Sequence, residues 1–169
     1  HADGLIRTDE DGLAFTRLSN EGARHARAGS YRKAFETYEK ALAHNAEEPD
    51  LYYNLVALGE HLKEWEKVVL YAEGYERFMQ GHGGAEAREV KAKAQAARKQ
   101  VKAFGTLSVT ATPPDAGVLI NGVTFGKAPL VDLSLPVGTY HVSGHQKDFH
   151  KASVSVTVGA KEPATATLA

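Results

Sequence analysis

His141, His145 and His150 stand close together late in the chain and are its best candidates for a metal site. Imidazole nitrogens bind transition metals, and residues four apart share one face of a straight strand. The neighbouring residues argue against a site. Gly144 and the polar run 145–148 mark the end of a strand, so the three are expected to be exposed strand-end and loop histidines with no metal bound. Other catalytic patterns are absent: no nucleophile elbow, Walker loop, zinc-protease helix or dinucleotide fingerprint occurs. Gly81-His82-Gly83-Gly84 has the glycines of a phosphate loop without its Lys-Ser/Thr, and reads as a break between helices. The expectation is a non-enzymatic protein without a cofactor, with a metal-dependent hydrolase as a remote alternative.

The totals narrow the remaining chemistry to recognition. The chain has 169 residues, 43% of them apolar, which suffices for one or two small domains. Twenty basic against 21 acidic residues leave a net charge of −1, so no global field calls for nucleic acid or an anionic membrane. Arg88, Lys91, Arg98, Lys99 and Lys102 do form a basic arc. No aromatic is interleaved there for base stacking, so it reads as a solvated helix face, with an acidic protein partner as the next choice. Cysteine is absent, which excludes disulfides and thiolate metal sites and is compatible with an oxidising compartment. No apolar run approaches the roughly 18 residues of a membrane span. The first residue is His1 rather than Met, and residues 1–8 are expected to be an N-terminal extension or tag remnant, with a targeting segment removed.

Two elements of different kind must position any site. Residues 9–104 hold a single proline, Pro49, and no sustained alternation, whereas 105–169 hold the other five prolines and are dense in Val and Thr. The boundary is placed at Gly105, as a glycine past a helix end. Helices are expected at about 9–28 with Thr8 as cap, 31–44, 49–62 with Pro49 in the first turn, 65–79 and 85–104. On the last, Val90, Ala94, Ala97, Val101 and Phe104 make one apolar stripe.

The helical half repeats at 34 residues: Leu18 falls on Tyr52, Tyr31 on Trp65, Ala34 on Val68 and Tyr38 on Ala72. Tyr31, Tyr52 and Trp65 are expected in the core. Gly29, Tyr31, Ala34, Tyr38 and Ala41 follow in the order of a tetratricopeptide repeat, and residues 15–82 resemble two such repeats, with 85–104 as capping helix. The second copy departs from the pattern at Val68 and Tyr75. The resemblance implies a solenoid of helix pairs that binds proteins in a concave groove. Groove positions carry over to Thr16, Ser19, Ala23, Ala26 and Arg27, to Asp50, Tyr53, Asn54, Ala57 and His61, and to Ala87, Lys91 and Gln95. Only Asn54 fits the Lys/Asn scheme that holds a peptide carboxylate, since Ser19 and Ala23 stand in the other places. Chaperone-tail binding is therefore not expected. The expected partner site is Arg27, Tyr53, Asn54, His61 and Lys91.

In the second half the period becomes two. Thr106–Thr112 alternates, Val118–Phe125 reads as a hairpin turning at Asn121-Gly122, and further segments follow at 129–135, 136–144 (a turn and a strand), 151–159 and 163–169. Pro114-Asp115-Ala116-Gly117, the hairpin, Gly126-Lys127-Ala128-Pro129, then Leu135, Gly138, Tyr140 and Val142, with Asp148-Phe149 at a later turn, resemble a PEGA domain over 105–169. That resemblance implies a bacterial β-sandwich of surface and envelope proteins with no catalytic residues.

The fold class expected is α+β in two domains, an all-α solenoid of about five helices followed by a small all-β sandwich. The function expected is a protein-interaction scaffold in the bacterial envelope or periplasm. The helices would dock a protein partner, and the sandwich would be a spacer or second docking surface. The alternative is a carbohydrate- or cell-wall-binding sandwich, for which Phe125, Tyr140 and Phe149 are the only candidate platforms.

Overall fold

The computed structural model describes residues 2–145 and 152–169, with side chains from Glu10 on. Helix α1 (Ala2–Arg27) passes to α2 (Tyr31–Leu42) through a turn at Gly29, whose φ is 80°. The Ser30 N–H donates to the His25 carbonyl at 2.8 Å and the Gly29 N–H to the Ala26 carbonyl at 3.1 Å. This is the Schellman arrangement, which needs a left-handed residue just past the helix. Helix α3 (Pro49–Leu62) passes to α4 (Trp65–Phe78) in the same way. Lys63, 34 residues after Gly29, takes φ 61°, and the Glu64 and Lys63 N–H groups reach Gly59 and Glu60 at 2.9 and 3.1 Å. The period read from side chains is thus also present in the turn geometry. Helix α5 (Ala85–Gln100) closes the series against α3 and α4.

Burial follows the period. Leu18, Ala34 and Tyr38 are buried in the first pair, and Tyr52, Val68 and Ala72 in the second. Tyr31 departs from expectation. It is exposed, its ring set edge-on to His61 at 4.4 Å between centroids, and Trp65 is only partly buried. Both begin their helices, and a helical side chain leans back over the turn before it.

Two boundaries differ from the sequence reading. Helix α1 already runs from Ala2, so Thr8 lies within it rather than at its cap. Helix α5 stops at Gln100, Val101 is extended (φ −80°, ψ 131°), and the first strand begins at Phe104. Gly105 is therefore a strand residue and not a helix stop. A Cβ there would lie 2.2 Å from the Gly159 carbonyl oxygen, so this position needs a residue without one.

The strands are β1 (Phe104–Ala111), β2 (Gly117–Ile120), β3 (Val123–Lys127), β4 (Leu130–Pro136), β5 (Gly138–His145), β6 (Ala152–Val158) and β7 (Ala164–Leu168). They form a three-stranded sheet, β4-β1-β7, and a four-stranded sheet, β3-β2-β5-β6. Among the described residues only the β1–β7 pairing is parallel. The β2–β3 turn has φ 50° at Asn121 and 80° at Gly122, the two positive values of a type I′ hairpin. Alternate residues fill the space between the sheets, among them Leu107, Val109, Val118, Ile120, Phe125, Leu135 and Val142. The chain is α+β, with five helices before seven strands among the described residues.

Candidate functional site

The five expected partner-site residues do not converge on one constellation. Among the described residues, no hydrogen bond or ion pair joins any two of them. Arg27 is exposed in the last turn of α1. Tyr53, on α3, is half-buried, and its hydroxyl donates to Glu89 of α5 at 2.9 Å. That bond to a carboxylate, with some burial, raises the phenol above its ordinary range. His61 is exposed and packs on Tyr31. Lys91 is exposed beside Tyr75, Glu76, Met79 and Ala87, in a cavity of about 340 Å³ between α4 and α5. Asn54 is half-buried and its carboxamide makes no hydrogen bond among the described residues. The Ser19 hydroxyl, on α1, is buried without a partner.

Burial raises the Glu76 carboxyl, and Glu73 adds to this while Lys91 and Arg98 oppose it. Burial and the Glu86 carboxylate, 3.1 Å from its hydroxyl, push the Tyr75 phenol up to about 12. The wall beside Lys91 thus holds a carboxyl biased toward its neutral form and a phenol held neutral.

Another part of the helical surface, chiefly α4, packs against the sandwich. Strand β3 is an edge of its sheet and bulges where Val118 pairs with Gly126 but Leu119 with Thr124, leaving Phe125 as the extra residue. A bulge and an edge both free backbone groups that must find partners. Here the helices supply them. The Thr124 N–H donates to the Tyr52 hydroxyl at 3.1 Å, and both the Thr124 and Tyr52 hydroxyls donate to the Ala46 carbonyl. Arg77 of α4 donates to the Phe125 carbonyl at 3.2 Å, with its guanidinium 5.3 Å above the Phe125 ring. Gly74 lets α4 come close: a Cβ there would lie 2.5 Å from a Val123 methyl and 3.3 Å from the Tyr52 ring.

Two further ties complete this seam. Arg98 of α5 donates to the Ser134 carbonyl of β4 at 3.2 Å and stacks 5.0 Å over Phe104. The basic arc expected to be a solvated face is therefore interrupted: Arg98 is spent on the sandwich, and Lys102 lies beyond the end of the helix. The Val137 N–H reaches the Ala103 carbonyl at 3.0 Å, which fixes the link between helix and strand. The buried side chains of both halves form one continuous apolar cluster.

His141 and His145 are not placed to share one metal ion. Strand β5 continues through Gly144 to His145, so His141 and His145 share one exposed face. Four residues along a strand is about 13 Å, too far for one ion to bind both. His150 and the Asp148-Phe149 turn lie outside the described residues. Phe125 and Tyr140 are buried, so neither is a platform for a sugar ring. A cleft of about 820 Å³ does lie beside the seam, between loop residues His44–Glu47 and Asp115, Gly117, Thr124, Lys127 and His145.

No helix among the described residues is long and apolar enough to cross a membrane. No curated protein and no solved structure matches this chain. The model of the PEGA domain family matches residues 104–169, which include every strand and none of the five helices. The C-terminal sandwich, from Phe104 to Ala169, is a PEGA domain.

Proposed function

We propose that this chain is a non-enzymatic interaction protein of the bacterial envelope or periplasm. Its helices act as two tetratricopeptide-like repeats with a capping helix, and they dock a protein partner. Its PEGA domain acts as the spacer that holds them, or as a second docking surface. PEGA domains are typical of extracellular or periplasmic proteins, which supports the placement. The matched Schellman turns at Gly29 and Lys63 support the repeat reading.

One observation carries the docking role. Tyr52 faces the sandwich, and Asn54 stands about 200° further round α3, turned away from it, with an unpaired carboxamide. The seam consumes one side of the helices, while Arg27, Asn54 and Lys91 on other surfaces keep free polar groups. Such groups, held on rigid helices, suit an extended segment or helix laid in a groove.

The test is capture by the whole chain as bait in its native organism, followed by titration of the recovered protein. The reading expects Arg27→Glu and Asn54→Ala each to weaken the partner at least tenfold, and Ser155→Ala on the sandwich to leave it unchanged. Loss with Ser155→Ala alone would move the function to the PEGA domain. Retention of wall polymer in place of a protein would favour the carbohydrate alternative.

A further inference from the structure

The edges of the two sheets are finished in different ways. Strand β3 is bulged, and its Thr124 and Phe125 backbone groups are taken by Tyr52 and Arg77. Strand β4 is bulged against β1, carries Asp132 and Pro136, and gives its Ser134 carbonyl to Arg98. Such devices blunt an edge against further pairing. Strand β7 has five residues only. Strand β6 has none of these protections. Its seven residues, Ala152–Val158, hold no charge and no proline, pair with β5 without a break, and have no helix packed on them.

The direction of the β6 backbone groups follows from β5. The His141 carbonyl accepts from the Asn121 N–H at 2.8 Å, and the His141 N–H donates to the Asn121 carboxamide oxygen at 2.8 Å. Both groups of His141 thus point toward β2 and away from β6. Ser155, its partner on β6, turns its own N–H and C=O to the free edge, as do Ser153 and Thr157 on either side. Among the described residues these groups have no hydrogen-bond partner. We propose that two copies of this chain join antiparallel along β6, about a two-fold axis at Ser155.

The strand is its own complement in that register. Ser155 faces itself and Ser153 faces Thr157 of the second copy, so the free groups of both edges meet in about six backbone hydrogen bonds. On the outer face, hydroxyl side chains meet hydroxyl side chains. On the inner face Val154 meets Val156, and both are only half-buried in the single chain, so pairing covers them. No charge of β6 faces its own copy. Strand β3, at the far side of the sheet, carries the contact with α4, so the two helical units lie at the outer ends of the joined sheet and clear of each other. The result is a closed two-fold dimer.

Light scattering and amide hydrogen exchange on the whole chain, over a concentration series, test this. The mass is expected to rise with concentration from that of one chain to that of two, and exchange at Ser153, Ser155 and Thr157 to slow at least tenfold in the dimer. Ser155→Pro removes a donor that points out of the monomer, so β5 keeps its ladder, and Ser155→Lys sets two ammonium groups face to face on the axis. Each is expected to hold the chain at the mass of one copy throughout. Thr167→Lys adds the same charge on β7 of the other sheet and is expected to leave the dimer intact. A chain that stays monomeric at every concentration would overturn the proposal. So would a dimer that survives both Ser155 variants, one lost equally with Thr167→Lys, or one whose slowed amides lie outside β6.

Discussion

Tyr52 and Tyr53 are neighbours in sequence and belong to opposite regimes of the molecule. The Tyr52 ring is fully buried, and its hydroxyl joins a loop carbonyl on its own side to a strand amide across the seam. Tyr53 reaches over the surface to one glutamate. At the seam every polar group named has its partner, and glycine brings the backbones together. On the helix surfaces away from the seam, Arg27 and Lys91 are exposed and the Asn54 carboxamide makes no hydrogen bond among the described residues. The difference separates surface used to hold the fold from surface left exposed to solvent.

Truncation should expose that difference most strongly. Tyr52→Ala opens a cavity and strands the Thr124 amide, and is expected to cost about 3–5 kcal/mol. Tyr53→Ala removes one exposed bond and should cost less than about 1 kcal/mol. Urea unfolding of the two variants makes the comparison, and equal losses would erase it.

Ala34, fully buried on α2, tests the repeat register away from the seam. Ala34→Trp should overpack that contact by about 1–3 kcal/mol and lower the melting temperature. A melting point equal to that of the unaltered chain would put Ala34 outside the core.

A smaller effect, of opposite sign, is expected at the second turn. Lys63 holds φ 61° where the first repeat has Gly29. Lys63→Gly should relieve the left-handed strain and stabilise by about 0.5–1 kcal/mol. Gly29→Lys should cost a similar amount, and both are read from thermal melts.

The smallest effect depends on pH. Burial, then Glu73, raises Glu76 above its ordinary value of 4.5. Folding therefore favours its protonated form, and stability falls as pH rises through that range. Glu76→Gln is expected to raise the melting temperature by about 1–2 °C at pH 7, with the gain shrinking toward pH 4. A gain that grows on acidification would reverse the sign and place Glu76 in a favourable ion pair.

Local features were the most legible in the sequence. The Asn121-Gly122 turn requires positive φ at both residues, and that demand is written in two letters. The 34-residue period located the buried pairs Leu18/Tyr52, Ala34/Val68 and Tyr38/Ala72, but not Tyr31/Trp65, which begin their helices. The end of α5 was misread because Val101 and Phe104 continue its apolar spacing, yet they pack as linker and strand.

The seam was not legible as such, since it joins residues more than 70 apart, such as Tyr52 and Thr124. Its signal lay in the departures from the repeat. Tyr52 stands where the first copy has Leu18, Gly74 where it has Lys40, and Arg77 where it has Ala43. Each gives up a feature of the first copy for one the sandwich uses: a hydroxyl, a missing Cβ and a guanidinium. The apolar run Val68–Ala72 pointed the same way, because a helix apolar on most sides is covered on most sides.

The central claim is that helices and PEGA domain move as one body. Backbone 15N relaxation on the whole chain tests it most directly. The seam predicts one rotational correlation time for α1–α5 and β1–β7 alike. Two distinct correlation times, with fast motion at 101–103, would mean that the seam does not hold in solution and would contradict the account.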